Sequence, residues 1–232
     1  MSDMPPVGTH KLIMDSLQKR IDSQKPRSYM GASGLGTSCD RQLWYSYHQP
    51  KNDYPPRVQM IFDLGNNIED YVIWLLREAG FTIYEKDSSG EQFGFVDGFI
   101  AGHIDGVIVG LPESAKPHLL EVKSANDKRF KDFQKKGCKA VEPKYWGQCH
   151  TYMLKMKLEK SLFIVMNKNT CELYIERITL DENYANSLLL RGEELVAEES
   201  ENNVKRRYKK STSFGCKFCS WKEECWKDEQ DY

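Results

Sequence analysis

The sequence predicts an α/β fold in which helices cover both faces of a β-sheet. Hydrophobic residues make up 40% of the 232 residues and charged residues 29%, which is the composition of a folded globular protein rather than a disordered or collagenous one. The apolar period is helical in the first third of the chain and alternating in the middle, and both periods occur after that. Helices, then several strands, then helices with two more strands are typical of an α/β domain.

Helical spacing of apolar residues predicts three helices before the first strand. They cover residues 10–23, 38–48 and 57–79. Thr37 or Ser38 is the predicted N-cap of the second helix, which places Cys39 in its first turn. The third helix contains Glu69 and stops at Gly80.

Beyond Gly80 the sequence predicts a meander of strands and then alternating helices and strands. β-Branched and aromatic residues between Gly, Ser and Pro signals predict strands at residues 81–86, 91–96, 99–109, 118–124, 161–167 and 171–177. Helices are predicted at residues 126–136, 143–156 and 181–201. The sequence contains no Gly-x4-Gly-Lys-Ser/Thr motif, so we expect no NTPase motor in this domain.

Two carboxylates and an ammonium group lie on adjacent predicted strands. Asp105 ends the motif Gly-His-Ile-Asp, and Glu121 and Lys123 share one face of the next strand because side chains alternate. The two acids are costly to desolvate together unless a divalent cation neutralises them, and Mg²⁺ prefers oxygen ligands. We therefore predict that Asp105, Glu121 and the Val122 carbonyl hold Mg²⁺ or Mn²⁺. Lys123 is predicted to orient or help deprotonate the attacking water and to stabilise charge on a scissile phosphate.

Glu121-x-Lys123 alone is also typical of a solvated ion pair. Three further residues favour its interpretation as part of a catalytic site. Glu69 follows Gly65 by four positions in the preceding helix, and Gln148 and Tyr152 share one face of a later helix. Each by itself is an ordinary residue of a helix surface. Their joint occurrence in this order around the same strands indicates a catalytic site.

The seven cysteines are an odd number, which argues against a disulfide framework. Three of them stand apart and are predicted to be ordinary buried or half-buried thiols: Cys138, Cys149 and Cys171. The other four are one residue near the N-terminus and a Cys-x2-Cys-x5-Cys motif near the C-terminus, namely Cys39, Cys216, Cys219 and Cys225. Four thiolates suit a tetrahedral Zn²⁺ ion, which spacing alone leaves open as an occupant.

The ordered motifs resemble those of the RecB-type branch of the PD-(D/E)xK nucleases. They are Gly65-x3-Glu69, Gly102-x2-Asp105, Glu121-x-Lys123 and Gln148-x3-Tyr152. One cysteine before this series and three after it resemble the iron–sulfur exonucleases, which include the CRISPR-associated Cas-four family, the AddB nuclease domain and phage-encoded relatives. The resemblance spans residues 33–226. It implies a mixed central sheet flanked by helices, with N- and C-terminal segments joined by a 4Fe-4S cluster on the four cysteines.

The resemblance also implies an organisation and an activity. Residues 1–56 form an N-terminal helical segment, residues 57–180 the nuclease core, and residues 181–232 a C-terminal helix, basic segment and cysteine motif. The implied activity is that of a metal-dependent deoxyribonuclease, most simply an exonuclease acting on single-stranded DNA ends. Its implied catalytic residues are Glu69, Asp105, Glu121, Lys123, Gln148 and Tyr152.

Two departures and two alternatives accompany this hypothesis. Many Cas-four members have His where this chain has Glu69, and a carboxylate there is a candidate further metal ligand. His103 shares the strand face of Asp105 and is either a cleft residue or a polar residue of the strand edge. The alternative functions are a CRISPR adaptation nuclease that trims DNA ends and a catalytically silent module that binds DNA ends.

Aromatic residues in and beside the cysteine motif predict that this site is packed in apolar surface. They are Phe218, Trp221 and Trp226. A site shielded from solvent favours an iron–sulfur cluster over exposed thiols, although Zn²⁺ stays the alternative.

Two basic runs flank the predicted catalytic strands and are candidate DNA contacts. The first comprises Lys128, Arg129, Lys131, Lys135 and Lys136, and the second Lys205, Arg206, Arg207, Lys209 and Lys210. Such runs are usually solvated faces, but next to a phosphodiesterase site they favour phosphate contacts. Tyr208 lies within the second run, as aromatic residues do in proteins that stack unpaired bases.

The sequence also bears on location and partners. No run approaches the roughly 20 apolar residues that cross a bilayer, and the first residues lack the pattern of a signal peptide. We expect a cytoplasmic protein of a prokaryotic or phage-infected cell, without membrane partners. The expected partners are single-stranded DNA or DNA ends, and recombination or CRISPR adaptation proteins.

Overall fold

Two β-sheets form the centre of the structure, a computed structural model that describes residues 7–227. The larger sheet has the order β2-β5-β6-β7-β8. Its strands are Thr82–Tyr84 (β2), Gly106–Val109 (β5), His118–Ala125 (β6), Lys160–Asn167 (β7) and Leu173–Thr179 (β8). The pair β6/β7 is parallel and the other pairs are antiparallel, which confirms the predicted mixed sheet. The smaller sheet consists of Met30–Gly31 (β1), Ile100–His103 (β4) and Gly94–Asp97 (β3), in that order.

Eight α-helices surround the sheets in the described part of the chain. They are Val7–Ser23 (α1), Asp40–His48 (α2), Pro56–Glu78 (α3), Asp127–Val141 (α4), Pro143–Lys155 (α5), Glu182–Ala197 (α6), Phe214–Lys217 (α7) and Lys222–Cys225 (α8). The long helices all correspond to predicted ones. Helix α4 is interrupted at Gly137, whose φ of 76° is a left-handed value that glycine adopts easily.

Alternation along β6 divides the core into two layers. Leu120 and Val122 point towards α3, where they pack with Val72 and Ile73. Leu119 points to the opposite face, which α4 and α5 cover. Helices on both faces of the sheet confirm the predicted α/β class.

The run predicted as one strand over residues 99–109 is two strands in two different sheets. Strand β4 ends at His103 in the smaller sheet, and β5 begins at Gly106 in the larger one. Ile104 makes the crossing: its side chain is fully buried and its N–H donates to the Phe93 carbonyl at 2.9 Å. The crossing leaves Asp105 between the two sheets.

The N-terminal and C-terminal segments are tied together by two arginines. Arg41 of α2 is buried and donates to the carbonyls of Val204 at 2.9 Å and Glu201 at 2.5 Å. Arg191 of α6 donates to the Asp40 carboxylate at 2.6 Å and to the Thr37 carbonyl at 2.7 Å. These bonds hold α2 against the chain that follows α6.

The predicted segments reach beyond the described residues at both ends. Residues 1–6 of the first segment and 228–232 of the third lie outside them. Between residues 7 and 227, no helix is both long and apolar enough to cross a lipid bilayer.

Candidate active site

Asp105 lies where β6 continues past its antiparallel partner. Gly106 pairs with Leu120, and no residue of β5 lies beyond this pair. The N–H of Val122 therefore has no strand carbonyl on that side, and it donates instead to the Asp105 carboxylate at 2.7 Å. The crossing between the two sheets thus fixes an acidic side chain against the middle of β6.

Glu121 is the most enclosed carboxylate of the site. Its side chain is 0% exposed. One oxygen, Oε1, accepts a hydrogen bond from Gln148 Nε2 at 2.6 Å and forms an ion pair with the Lys123 ammonium. The other, Oε2, is buried without a hydrogen-bond partner. A buried charged oxygen without a partner is costly, so this atom points to a group that the side chains alone do not provide.

Helix α5 supplies Gln148 and Tyr152 from one face of the sheet. Tyr152 is buried, and its ring lies edge-on to that of Phe95 with centroids 6.0 Å apart. A Cβ on Gly102 would lie 2.7 Å from the Tyr152 ring, so the glycine of the Gly-x2-Asp motif allows this helix to approach β4 closely. The structure therefore brings Gly102 and Tyr152, from two different motifs, into direct contact.

The carboxyl groups of the site are buried close to one another, and their pKa values are raised. Burial, and then the Asp105 carboxylate, raises the pKa of Glu121 to about 8 and that of Glu69 to about 7. Burial also raises the pKa of Asp105 above its usual range. Burial opposes the charge of Lys123, but the carboxylates of Glu121 and Asp105 outweigh it and raise the pKa of the ammonium. Lys123 therefore stays protonated.

The structure brings most of the predicted catalytic residues together. Glu69 of α3 interacts electrostatically with Asp105 and Lys123 from the other face of the sheet. His103 is exposed at the end of β4 in the smaller sheet, which places it at the strand edge. Within residues 7–227, no three His, Cys, Asp or Glu side chains are grouped as a ready metal site.

The four cysteines of the predicted second site line one cavity. Cys39 is the N-cap of α2, and Cys216, Cys219 and Cys225 lie in and between α7 and α8. Burial raises the pKa of Cys216 and of Cys219, and the neighbouring thiol groups raise both pKa values further. Sequence positions far apart therefore share one apolar site, although their thiols are not arranged as metal ligands.

The apolar packing predicted around the cysteines is partly wrong. Trp226 is buried, but Phe218 is 80% exposed. The reason is local: Phe218 follows the four-residue helix α7, whose buried side is occupied by Cys216. Its ring therefore points to solvent.

The charged side chains of the two basic runs have different kinds of partner. In α4, Lys131 pairs with Asp127 at 2.7 Å and Arg129 with Glu142 at 2.5 Å, whereas Lys128 is exposed. In the second run, Arg206 donates to the Cys225 carbonyl at 2.9 Å and lies over the Trp226 ring.

The rest of the second run borders a groove. Arg207 donates to the Ser38 carbonyl at 3.2 Å, and Tyr208 lines the groove formed by residues 36–38, Pro143 and Lys144. Lys205, Lys209 and Lys210 are exposed.

Sequence reasoning missed two residues that shape these sites. Arg41 donates to the Cys225 carbonyl as well as to Val204 and Glu201, and Tyr145 lies under the Lys123 ammonium at 5.4 Å from the ring centroid. The sequence held a signal for the first only, because Arg41 follows Cys39 closely. No residue spacing in the sequence indicates that Tyr145 lies beside Lys123.

The fold resembles that of a solved alkaline exonuclease. No protein-family model matches the sequence, and no curated protein matches it either. Among solved structures, the alkaline exonuclease LHK-Exo from Laribacter hongkongensis is similar at a TM-score of 0.53 and 16% identity, over 73% of this chain and 87% of that one.

Two other solved structures are also similar. LHK-Exo in complex with dAMP has a TM-score of 0.52 and 15% identity over the same shares of the two chains, 73% and 87%. SSO0001 has a TM-score of 0.49 and 16% identity over 94% of this chain and 96% of its own. The likeness to LHK-Exo supports the predicted nuclease-type fold.

The raised pKa values predict a pH-dependent stability of the metal-free protein. Between their ordinary pKa of 4.5 and the raised values of about 7 and about 8, Glu69 and Glu121 hold more protons in the folded state than in the unfolded chain. Stability therefore decreases as the pH rises through this window. We expect the melting temperature of metal-free protein to fall more steeply with pH than that of Glu121→Gln.

Differential scanning fluorimetry with and without Mn²⁺ measures this pH dependence of the melting temperature. Metal binding must displace these protons, so Mn²⁺ is expected to raise the melting temperature more at about pH 9 than at about pH 6. Parallel pH curves for the wild type and Glu121→Gln would contradict the raised pKa of Glu121.

Proposed function

We propose that this protein is a Mg²⁺- or Mn²⁺-dependent DNA exonuclease that hydrolyses single-stranded ends. The observation that carries the proposal is Glu121, whose buried carboxylate is held by Lys123 and Gln148 while Oε2 has no partner. A divalent cation at this oxygen offsets the cost of burying it. The fold shared with an alkaline exonuclease favours the same activity.

The proposed ligands come from three elements. Asp105 and Glu121 would hold the metal, with Glu69 and the Val122 carbonyl completing its oxygen shell. When bound, the metal supplies a lowered pKa for the attacking water and positive charge at the scissile phosphate. The fit rests on the partnerless Glu121 oxygen and on a donor set made only of oxygen atoms.

The remaining residues of the site orient other groups or stabilise charge. Lys123 keeps its proton, because Glu121 and Asp105 raise its pKa, so it orients the water and stabilises phosphate charge rather than acting as a base. Gln148 fixes the Glu121 carboxylate through its 2.6 Å hydrogen bond. The ring of Tyr152, a residue of α5, packs against Gly102 and sets how closely this helix approaches β4.

The cysteine site is proposed to hold a structural 4Fe-4S cluster. Four thiol groups line one cavity, and four cysteines are the usual ligands of such a cluster. Without it, burial keeps Cys216 and Cys219 protonated at neutral pH. When bound, the cluster supplies a crosslink between α2 and the C-terminal segment. The exposed residues Lys205, Lys209 and Lys210 are proposed to contact DNA phosphates beside it.

The activity is tested on single-stranded DNA labelled at either end. We expect the purified protein to degrade linear strands with Mg²⁺ or Mn²⁺ and to be inactive in EDTA. Asp105→Asn is expected to be inactive because it removes ligand charge.

A circular single strand of the same sequence is the control for end dependence. It should stay intact under conditions that degrade the linear strand. Hydrolysis that resists EDTA would exclude the metal-dependent mechanism, and equal degradation of the circle would exclude an exonuclease.

A further inference from the structure

Two phenylalanines of the cysteine segment are exposed to an unusual degree. Phe214 and Phe218 are each 80% exposed, although phenylalanine is among the residues most often buried. Phe214 begins α7 and Phe218 follows its last residue, with ring centroids 5.8 Å apart and ring planes at 77°. Together they offer solvent an apolar aromatic surface.

The position of this pair is fixed by the basic run of residues 205–210. Gly215 separates Phe214 from Cys216, and a Cβ on Gly215 would lie 2.2 Å from the Tyr208 hydroxyl oxygen. Tyr208 therefore packs directly on the backbone of α7. Lys209 and Lys210, which follow Tyr208 in the chain, are exposed, and so is Lys217, which lies between the two phenylalanines in sequence.

A groove lies beside α7, between its backbone and the start of α5. Gly215 and Tyr208 form one wall of the groove, and Pro143 and Lys144 of α5 form the other. The next residue of α5, Tyr145, lies under the Lys123 ammonium. The groove thus borders Gly215, the chain neighbour of Phe214, and Lys144, the chain neighbour of Tyr145.

We infer that Phe214 and Phe218 form a stacking surface for the unpaired bases of a DNA strand that runs along this groove. Exposed aromatic rings interleaved with cations suit unpaired nucleic acid, because bases stack on the rings while ammonium groups contact phosphates. The exposed Lys217 between the two rings in sequence, and the exposed Lys209 and Lys210 of the adjoining run, favour a polyanion over an apolar protein surface. The inference rests on the proposed function for the identity of the substrate, and it adds a base-dependent contact outside the catalytic residues.

The experiment compares two single strands of equal length, one with bases and one made of abasic sites, by fluorescence anisotropy in EDTA. The wild type should bind the strand with bases more tightly. The double variant Phe214→Ser/Phe218→Ser should bind that strand at least about tenfold more weakly, the effect of losing one base stack. Its affinity for the abasic strand and its salt dependence should not change, because no phosphate contact is lost.

Tyr71→Ser/Trp74→Ser is the matched control. These two aromatics are also exposed, by 46% and 52%, and stack on each other on α3, but the groove does not include them. We expect this control to bind both strands as the wild type does.

The possible failures are distinct. Equal binding of the two strands by the wild type, or an unchanged affinity of the phenylalanine variant, would overturn the inference and leave the rings to a protein partner. Because binding is measured in EDTA, it does not depend on cleavage. Absence of hydrolysis in the labelled-strand assay would overturn the proposed function alone.

Discussion

Replacing Lys123 by alanine is expected to lower the rate of DNA cleavage by at least about 100-fold. The ammonium lies between the Glu121 carboxylate and the Tyr145 ring, and in the proposed mechanism it stabilises the charge that develops on the phosphate. A group that acts on the transition state changes the rate more than the affinity. The affinity of the variant for DNA in EDTA should therefore stay within about twofold of the wild type.

Loss of Lys123 is also expected to affect metal binding, and the experiment must separate this effect from the effect on catalysis. Without Lys123, the buried Glu121 loses the cation that lowers its pKa, so metal affinity falls together with catalysis. Single-turnover cleavage at saturating Mn²⁺ separates the two effects, because the bound metal displaces the Glu121 proton and the site is then filled.

Lys139→Ala is the matched control for Lys123→Ala. The Lys139 ammonium lies over the Trp146 ring at 5.6 Å, much as Lys123 lies over Tyr145 at 5.4 Å, but Lys139 pairs with no carboxylate of the site. We expect it to cleave at the wild-type rate. Cleavage at the wild-type rate by Lys123→Ala would remove this lysine from the mechanism.

Local periodicity was sufficient to predict the framework of the candidate site. Alternation along β6 correctly separated Glu121 and Lys123 from Val122, which packs against α3. Helical spacing placed Gln148 and Tyr152 on one face of α5, and both are buried against the sheet. These features depend only on neighbours in sequence, and a sequence records them directly.

Features that depend on contacts between distant segments were not predictable in the same way. The crossing at Ile104 needs an acceptor on Phe93 and a second sheet to enter, and an alternating apolar run shows neither. The orientation of Phe218 depends on which side of α7 is taken by Cys216. Composition alone marks that ring as apolar and therefore predicts its burial, which is wrong here.

Cys39→Ala is expected to have the largest effect on stability. Cys39 is the N-cap of α2, but its side chain makes no capping hydrogen bond. In a protein without a bound cluster, alanine at this position should therefore change the free energy of unfolding very little. A large loss of stability would indicate that the thiolate ligates a metal.

The expected loss follows from the length of chain that the proposed cluster would close. By analogy with a disulfide, a crosslink between Cys39 and the C-terminal motif restrains the unfolded chain by on the order of 4 kcal/mol. Arg41 ties the same two segments together without metal, so the Cys39 variant is expected to fold. It should be paler, melt at a lower temperature and bind DNA poorly, because the basic run beside α7 is no longer held.

Anaerobic purification followed by iron, sulfide and zinc analysis measures the occupant of the site, and thermal unfolding measures the stability. Cys171→Ala is the control, since that thiol is exposed and lies outside the cavity, and it should keep the colour and stability of the wild type. Zinc without sulfide would exclude the iron–sulfur cluster but keep the crosslink. Full metal content in Cys39→Ala would exclude both, because the remaining three cysteines would then hold the metal without closing the chain.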